Sequence, residues 1–454
     1  MISPWQFAVP VRRSRFVAID DGLSRFNVEI AQGAVAPFAF DASAREDVLH
    51  YDAQTQLDGT WPGRLGAGRA GFYQGHYLKG VGRTPAAANW NEPRERYHGT
   101  GHLAPASAAN ERLVSAVARR LGFARSIVPC VGLLAGALTP AERASVSSGK
   151  TSAAPARFAV DGRVLALSVK RGGFARMANV VFALDHVPPQ PAQVGALFLA
   201  IERAHGVRRP SGDPDDLAEA MDAAFTRGLA SFEAFARVGL AWLYLQNNFT
   251  LDGRFVDLEL PLFLGVPAAG IAVRRAAGGT RGFAIGFETF GYVAAWRAYV
   301  RYLDMRLAML DSPLVTADPR VRVFMRAVRR AVLRNFGPRH ALFDDAAVRT
   351  RAVDVLADAL GATRRDRAAL ARVARWAWVA ERGGDPGALP DGPELEDVSP
   401  PLPMRIYAPS VVPREPSPVA RAFAAARRRA GESRSPRAFL ESVELGVAEI
   451  TKTR

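Results

Sequence analysis

The sequence lacks most of the patterns that would place it in a class at once. Its 454 residues include one cysteine, Cys130, which excludes an intramolecular disulfide and a cysteine-based zinc site. The seven histidines show neither an HExxH pattern nor another paired metal spacing. The longest apolar run, LPLFLGVPAAGIAV, contains prolines and is too short to cross a membrane, so we expect no membrane partner.

Lysine is also scarce, because only four of the 59 basic residues are lysine. The net charge of +15 would suit nucleic acid, but the arginines are spread along the chain rather than gathered in one stripe with aromatics. Nucleic-acid binding is therefore a minor alternative, which a steep salt dependence of binding would reveal. The stretch MISPWQFAVPVRRSRF lacks the apolar segment of a signal peptide, which predicts a cytoplasmic protein.

The length of the chain favours two or three structural units. Residues 1–105 are rich in glycine, proline and short strand-like runs, and helical periodicity begins at SAANERLVSAVARRLGF. From about residue 213 onward, aspartate caps and helical spacing predict a series of helices. Residues 385–417 are rich in proline and predict a linker, after which a short basic helical tail closes the chain.

Three stretches predict β-hairpins, with turns at Gln74-Gly75, Asp161-Gly162 and Asp252-Gly253. The third lies in LYLQNNFTLDGRFVDLE, where a two-residue loop would place Asn248 opposite Asp257. Opposed residues have Cβ atoms roughly 4.5–5.5 Å apart, so an amide oxygen and a carboxylate would lie side by side. That pair suits a hard divalent cation, and a surface hairpin with incidental polar residues is the alternative.

A second group of residues suggests a phosphate site. In WPGRLGAGRAGFYQGHYLKG, the glycines Gly66 and Gly68 would let backbone N–H groups approach phosphate oxygens, and Arg69 would add charge. Lys79 stands near a strand end in a chain that almost always has arginine as its basic residue. Glu111 lies on the buried side of the predicted helix, although an acid near a helix start also serves as a cap.

A strand lysine, a helix glutamate and a later Asn/Asp pair stand in the order found in protein kinases, although the HRD and DFG motifs are missing. The chain resembles a divergent member of the selenoprotein O (YdiU-type) family of pseudokinase-fold protein adenylyltransferases. The MchC-like branch of that family is one group to which such a divergent chain could belong. The resemblance covers roughly residues 55 to 260. It rests on four stretches, which are LGAGRA (65–70), LKGVGRTP (78–85), TGHLAPASAANE (100–111) and NNFTLDGRFVD (247–257).

The resemblance implies an α+β, two-lobed protein-kinase-like fold. Its strand-rich N-terminal lobe, residues 1–210, would bind the nucleotide. A helical C-terminal lobe, residues 211–384, would carry the metal-site hairpin, and residues 385–454 would form the linker and the basic tail. The implied activity is transfer of AMP from ATP to a Ser, Thr or Tyr hydroxyl of an unidentified protein or peptide, by a monomer.

The resemblance also implies roles for individual residues. Lys79 would hold phosphates and pair with Glu111, and Asn248 with Asp257 would bind Mg²⁺ or Mn²⁺. The implied nucleotide contacts are Gly66, Gly68, Arg69, Lys79, Thr100, Gly101, Lys170 and Arg176.

Asn247 occupies the position where the family has its catalytic-base aspartate. An amide cannot accept a proton at neutral pH. The alternative function is therefore a catalytically weak nucleotide-binding pseudoenzyme that acts in partner binding or in maturation of a microcin-like peptide.

Overall fold

The computed structural model describes residues 5–31, 48–52, 69–84, 100–148, 158–186, 190–238, 240–241, 248–259, 262–263, 271–276, 279–284, 288–336, 396–397, 404–407 and 417–453. Within them the protein is a mixed α+β structure built on a curled antiparallel sheet, which confirms the predicted class.

The main sheet has seven antiparallel strands in the order β2-β1-β3-β4-β5-β7-β6. The strands are β1 (Gln6–Arg13), β2 (Val28–Ile30), β3 (Val48–Asp52), β4 (Ala70–Tyr73), β5 (His76–Lys79), β6 (Cys130–Ala137) and β7 (Val164–Arg171). The sheet is so curled that Val17, just after β1, exchanges backbone hydrogen bonds of 2.9 and 3.0 Å with Ala135 on the far edge strand. The curl encloses a core that includes Trp5, Val9 and Leu49.

The hairpin between β4 and β5 forms where the local sequence predicts it. Gln74 and Gly75 both adopt positive φ, of 45° and 73°, and Tyr73 faces His76 across the turn. Those angles define the type I′ turn that matches strand twist, so the prediction of this hairpin is confirmed. Lys79 therefore ends β5 in a central part of the sheet, where the residue is only 7% exposed.

The predicted hairpin at Asp161-Gly162 is only half present. The turn exists, with Gly162 at φ 81°, and β7 follows it, but the described residues before the turn form no strand. β7 instead pairs with β5 and β6, strands that are distant in sequence.

Helices make up most of the remaining described chain. They are α1 (Pro105–Arg120), α2 (Pro140–Ser148), α3 (Met177–His186), α4 (Pro191–Ala204), α5 (Pro214–Val238), α6 (Glu288–Leu310), α7 (Pro319–Phe336), α8 (Pro418–Glu432) and α9 (Pro436–Lys452). The prediction of α1 from its apolar stripe is confirmed, since Leu113, Val114 and Val117 are fully buried. The predicted helix in residues 344–384 lies outside the described residues.

Two small sheets were not predicted from the sequence. A four-stranded sheet joins β10 (Ile271–Ala276), β11 (Gly279–Ala284), β12 (Glu396–Asp397) and β13 (Met404–Tyr407), and a two-stranded one joins β8 (Leu240–Ala241) and β9 (Leu262–Phe263). β13 falls within the Pro-rich stretch and pairs with β10. No helix within the described part of the chain is both long and apolar enough to cross a membrane.

The C-terminal helices pack on the strand-rich part of the molecule. α8 and α9 form a helical hairpin against α1, and α9 also contacts β6. Arg112 of α1 forms a two-pronged ion pair with Glu444 of α9, at 2.7 and 2.8 Å. Phe439 of α9 is fully buried and packs edge-on against Phe158. The segment predicted as a basic tail is therefore part of the core around α1.

Gly446 shows how closely these helices approach each other. A Cβ built on Gly446 would lie 2.3 Å from the Cβ of Ala426 and 3.2 Å from Leu113 Cδ2. An alanine usually stabilises a helix by about 0.5–1 kcal/mol relative to glycine. We expect the opposite sign here, a loss of about 1–3 kcal/mol in unfolding free energy for Gly446→Ala, because the helices must separate.

Urea denaturation of this variant checks the prediction, and Gly195 supplies the matched control. Gly195 lies inside α4, and a Cβ added to it would meet no atom within 4 Å, so Gly195→Ala should stabilise the protein. Equal stabilisation by both substitutions would contradict the close packing of α8, α9 and α1.

Candidate functional site

Six charged side chains from distant parts of the chain meet between α1 and the sheet. They are Arg69, Lys79, Glu111, Lys170, Asp257 and Glu259, which together we call the ionic cluster. Three are cations and three are carboxylates, so the cluster is neutral when every group is ionised. Ion pairs in such surroundings require close geometry, because each buried charge has lost most of its hydration.

The inner part of the ionic cluster is a sealed pair. Lys170 of β7 is 1% exposed and Glu111 of α1 is fully buried. The Nζ of Lys170 lies 2.7 Å from Glu111 Oε1 and 2.6 Å from Oε2, and it donates a further hydrogen bond of 2.5 Å to the carbonyl of Val256. Lys170 thus holds Glu111 in place and ties α1 and β7 to the second half of the third hairpin.

The outer part of the ionic cluster centres on Lys79. Its Nζ lies 2.6 Å from Asp257 Oδ1, 2.8 Å from Glu259 Oε1 and 3.7 Å from Glu111 Oε1. The Lys79–Glu111 contact suggested by the family resemblance is therefore present, but it is the longest of the three. The side chains of Asp257 and Glu259 retain 14% and 10% exposure, so solvent reaches the cluster from this side.

Arg69 closes the outer part, just before β4. Its Nη2 donates to both carboxylate oxygens of Glu259, at 3.2 and 3.3 Å, and its Nη1 donates to the carbonyl of His102 at 2.9 Å. The backbone carbonyl of Glu259 in turn accepts a hydrogen bond of 3.0 Å from Asn110 of α1. Arg69 and Lys79 therefore both bind the carboxylate of Glu259, and the backbone of Glu259 is hydrogen-bonded to α1.

Burial and charge act in opposite directions on these groups. Burial by itself lowers the pKa of Lys79, but the carboxylates of Asp257, Glu259 and Glu111 outweigh it and raise that pKa above its usual range. Burial raises the pKa of Glu111, and Lys170 and Lys79 oppose this rise. Lys79 therefore stays charged at any physiological pH, while at Glu111 the two lysines favour the ionised form and burial opposes it.

The third hairpin forms, but its register differs from the prediction. Phe249 lies opposite Phe255 rather than Val256, and the N–H of Val256 donates to the carbonyl of Asn248 at 2.9 Å. The loop has three residues instead of two, and only Gly253 in it adopts positive φ, of 80°. This is a known class of three-residue hairpin loop, in which a turn is followed by a residue in the left-handed conformation.

Side-chain bonds within the turn explain the shift. The hydroxyl of Thr250 donates to the carboxylate of Asp252, which also accepts a bond of 2.7 Å from Arg254. A shift of one residue exchanges the two faces of a strand pair. Asn248 and Asp257 are therefore not direct cross-strand neighbours, and only the family resemblance supports them as joint metal ligands.

Tertiary hydrogen bonds fix the hairpin beside the ionic cluster. The N–H of Phe255 donates to Ser126 at 2.8 Å, and Val128 donates to the carbonyl of Phe255 at 2.7 Å. On the other side, the N–H of Leu251 donates to the carbonyl of Ala175 at 2.8 Å. These contacts place Asp257 and Glu259 beside Lys79, at the end of β5.

The other predicted nucleotide contacts lie around the cluster or outside the described chain. Thr100 accepts a hydrogen bond from the N–H of His102, the residue whose carbonyl binds Arg69. Gly101 adopts φ 76°, and a Cβ there would lie 2.2 Å from the backbone of Gly82. This close packing alone explains why position 101 is glycine.

Arg176 lies before α3, where its N–H donates to Asn179. The residues outside the described part are Gly66, Gly68 and Asn247.

The sequence prediction omitted Glu259 entirely. It stands two residues after Asp257, a spacing that places side chains on the same face of an extended segment, and this was the available signal. In the structure both carboxylates reach Lys79. The sequence also did not reveal that Lys170 and Glu111 are partners, since they are 59 residues apart.

Comparisons with known proteins do not place the chain in a family. No protein-family model matches it, and no curated protein matches its sequence.

Proposed function

We propose that the chain is a Mg²⁺- or Mn²⁺-dependent protein adenylyltransferase, which moves AMP from ATP to a Ser, Thr or Tyr hydroxyl. In this proposal residues 1–210, with the curled sheet and α1, form the nucleotide lobe of a kinase-like fold, and helices α5–α7 belong to the second lobe. The ionic cluster lies where the nucleotide phosphates would bind.

One observation carries the proposal. Lys79, Glu111 and Asp257 were each selected from separate stretches of sequence, and the structure brings them within one cluster, with Lys79 Nζ 2.6 Å from Asp257 and 3.7 Å from Glu111. Arg69 of the glycine-rich stretch joins them through Glu259. A strand lysine, a helix glutamate and a later aspartate that meet in this way support a phosphate site of the kinase type.

Adenylyl transfer requires that the phosphate charge is bound and that the acceptor hydroxyl loses its proton. The acceptor hydroxyl oxygen bonds to the α-phosphorus of ATP, the bond from that phosphorus to its bridging oxygen breaks, and pyrophosphate leaves. Arg69 and Lys79 would bind the negatively charged phosphate oxygens, and Glu111 would keep Lys79 oriented. The hydroxyl proton passes to solvent or to a phosphate oxygen, because the amide of Asn247 cannot accept it.

The residues present fit a hard divalent cation. Asp257 and Glu259 supply carboxylate oxygens that converge within 2.6 and 2.8 Å of one Lys79 nitrogen, and both side chains are partly exposed. Such oxygen donors are those that Mg²⁺ and Mn²⁺ use beside nucleotide phosphates. When bound, the cation would neutralise phosphate charge. Asp257 would hold it, and the family resemblance alone adds Asn248 as a second ligand.

The second candidate function is a nucleotide-binding pseudoenzyme that serves in partner binding or peptide maturation. Two observations favour it. Asn247 stands where a base is expected, and each of the three cations in the ionic cluster already has a carboxylate partner within about 3.3 Å. A site arranged in this way binds ligands only by exchanging internal contacts.

Parallel incubations with α-labelled and γ-labelled ATP separate these functions. Label transferred to protein from the α position supports adenylyl transfer, and label from the γ position only indicates a kinase. Binding of ATP without transfer of either label favours the pseudoenzyme.

Asp257 allows a direct test of metal-dependent binding. We expect ATP to raise the melting temperature of the wild type only when Mg²⁺ or Mn²⁺ is present, because a bound ligand stabilises the folded state. Asp257→Ala should abolish this shift, as it removes the carboxylate nearest Lys79. Asp304→Ala on α6, which removes a partner of Arg329, serves as a control and should retain it. An equal shift in Asp257→Ala would remove Asp257 from the metal site.

A further inference from the structure

Glu259 lies between the two cations that are assigned to phosphate in the proposed function, on which this inference rests. Its Oε1 accepts from Lys79 Nζ at 2.8 Å and from Arg69 Nη2 at 3.2 Å, and its Oε2 lies 3.3 Å from the same Arg69 nitrogen. A carboxylate held by a guanidinium and an ammonium receives the same charge-assisted hydrogen bonds that phosphate oxygens receive.

Charge balance shows why a ligand must disturb this arrangement. Arg69, Lys79 and Lys170 are matched by Glu111, Asp257 and Glu259, so the ionic cluster has no excess positive charge. An incoming polyphosphate therefore has to displace a carboxylate from the cations it needs. The alternative, simple addition of several negative charges to a neutral buried cluster, is opposed by the cost of burying unmatched charge.

The three carboxylates differ in how readily each one moves. Glu111 is fully buried and both of its oxygens contact Lys170, so it cannot leave without breaking the inner pair. Asp257 contacts Lys79 but has no contact to Arg69 among the described ion pairs. Within the ionic cluster Glu259 bridges Arg69 and Lys79, and its side chain has a 10% exposed edge toward solvent.

We infer that the carboxylate of Glu259 occupies the position of a phosphate group between Arg69 and Lys79, so that Glu259 and a polyphosphate ligand compete for the same two cations. The site then has two states, one closed by Glu259 and one open to the ligand. Glu259 sets how tightly the site binds polyphosphate, and it does so without touching the ligand.

Isothermal titration calorimetry of the full-length protein with inorganic pyrophosphate, in the absence of metal, tests this inference. Glu259→Gln keeps the size of the side chain but removes its charge, so the cluster gains a net positive charge. We expect pyrophosphate to bind this variant about tenfold more tightly than the wild type, or better, since one charge-assisted contact is worth at least a factor of that order.

Glu444→Gln is the matched control, because it weakens the two-pronged pair with Arg112 outside the ionic cluster. It should leave pyrophosphate affinity unchanged. If Glu259→Gln does not fold, Glu259→Asp replaces it, since the shorter side chain cannot span both cations and should tighten binding by a smaller factor. Unchanged or weaker affinity in a folded Glu259 variant overturns the inference.

The result is separable from the fate of the proposed function. Tighter pyrophosphate binding by Glu259→Gln without any transfer of α-label supports the competition and counts against adenylyl transfer. Transfer of α-label by the wild type, together with no gain in affinity for Glu259→Gln, supports the enzyme and overturns the role of Glu259.

Discussion

Replacement of Lys170 by methionine should destabilise the protein by about 3–5 kcal/mol, because it leaves the carboxylate of Glu111 buried without its nearest partner. Both residues are sealed, at 1% and 0% exposure, so water cannot compensate for the loss. Lys79 is 3.7 Å away and is already engaged by Asp257 and Glu259. Urea denaturation followed by circular dichroism measures the change in unfolding free energy.

The loss should depend on pH with a definite sign. Burial already raises the pKa of Glu111, and loss of Lys170 removes the larger of the attractions that oppose this rise. A folded-state pKa above the unfolded one means that the folded state binds the proton more tightly. The penalty in the Lys170→Met variant should therefore be small below the unfolded pKa of glutamate and should grow as pH rises through the folded pKa.

Two further variants make this test specific. Lys170→Met combined with Glu111→Leu should recover much of the stability, since an apolar pair often replaces a buried ion pair without loss. Arg437→Gln, which removes an exposed partner of Glu441 in α9, should change stability by less than about 0.5 kcal/mol. A Lys170→Met protein with the urea midpoint of the wild type would show that the inner pair contributes little to the fold.

Substitution of Asn247 by aspartate should raise α-phosphate labelling by about 10²–10⁴-fold over the wild type, which is the usual worth of a general base. Aspartate has nearly the shape of asparagine but can accept the proton of the acceptor hydroxyl. ATP affinity should change little. The added charge stands close in sequence to the proposed metal ligands, so the comparison requires saturating Mg²⁺.

Asn248→Asp adds the same carboxylate one residue further along, at the proposed metal ligand, and at saturating Mg²⁺ it separates the effect of a general base from that of a stronger metal site. It should not raise labelling, since its position belongs to the metal in the proposed function. If Asn247→Asp binds ATP and labelling stays flat, the missing base is not what limits the reaction, and the pseudoenzyme becomes the better description.

Several elements were predictable from the sequence because their causes are local. The turn at Gln74-Gly75 needs only two residues that tolerate positive φ, and it forms as expected. The stripe of Leu113, Val114 and Val117 was sufficient to predict α1 and its buried face. Lys79 was selected because lysine is rare in this chain, and it lies at the centre of the ionic cluster.

Other features were decided by side-chain and tertiary contacts that turn signals and periodicity do not report. The hairpin at Asp252-Gly253 was predicted one residue out of register, because bonds from Thr250 to Asp252 and from Phe255 to Ser126 select a three-residue loop. The docking of α8 and α9 on α1 depends on close packing at Gly446, which no local pattern reports.

The sequence by itself determined the α+β class and the main helices, and it singled out Lys79, Glu111 and Asp257, which lie together in the ionic cluster. Only the tertiary structure decided that Lys170 belongs to Glu111 and that Glu259 occupies the space between Arg69 and Lys79. Turn formation and helical periodicity depend on neighbouring residues and can be read from a short window. An ion pair between Lys79 and Asp257 joins residues 178 positions apart, and its geometry exists only after the sheet, α1 and the hairpin have packed together.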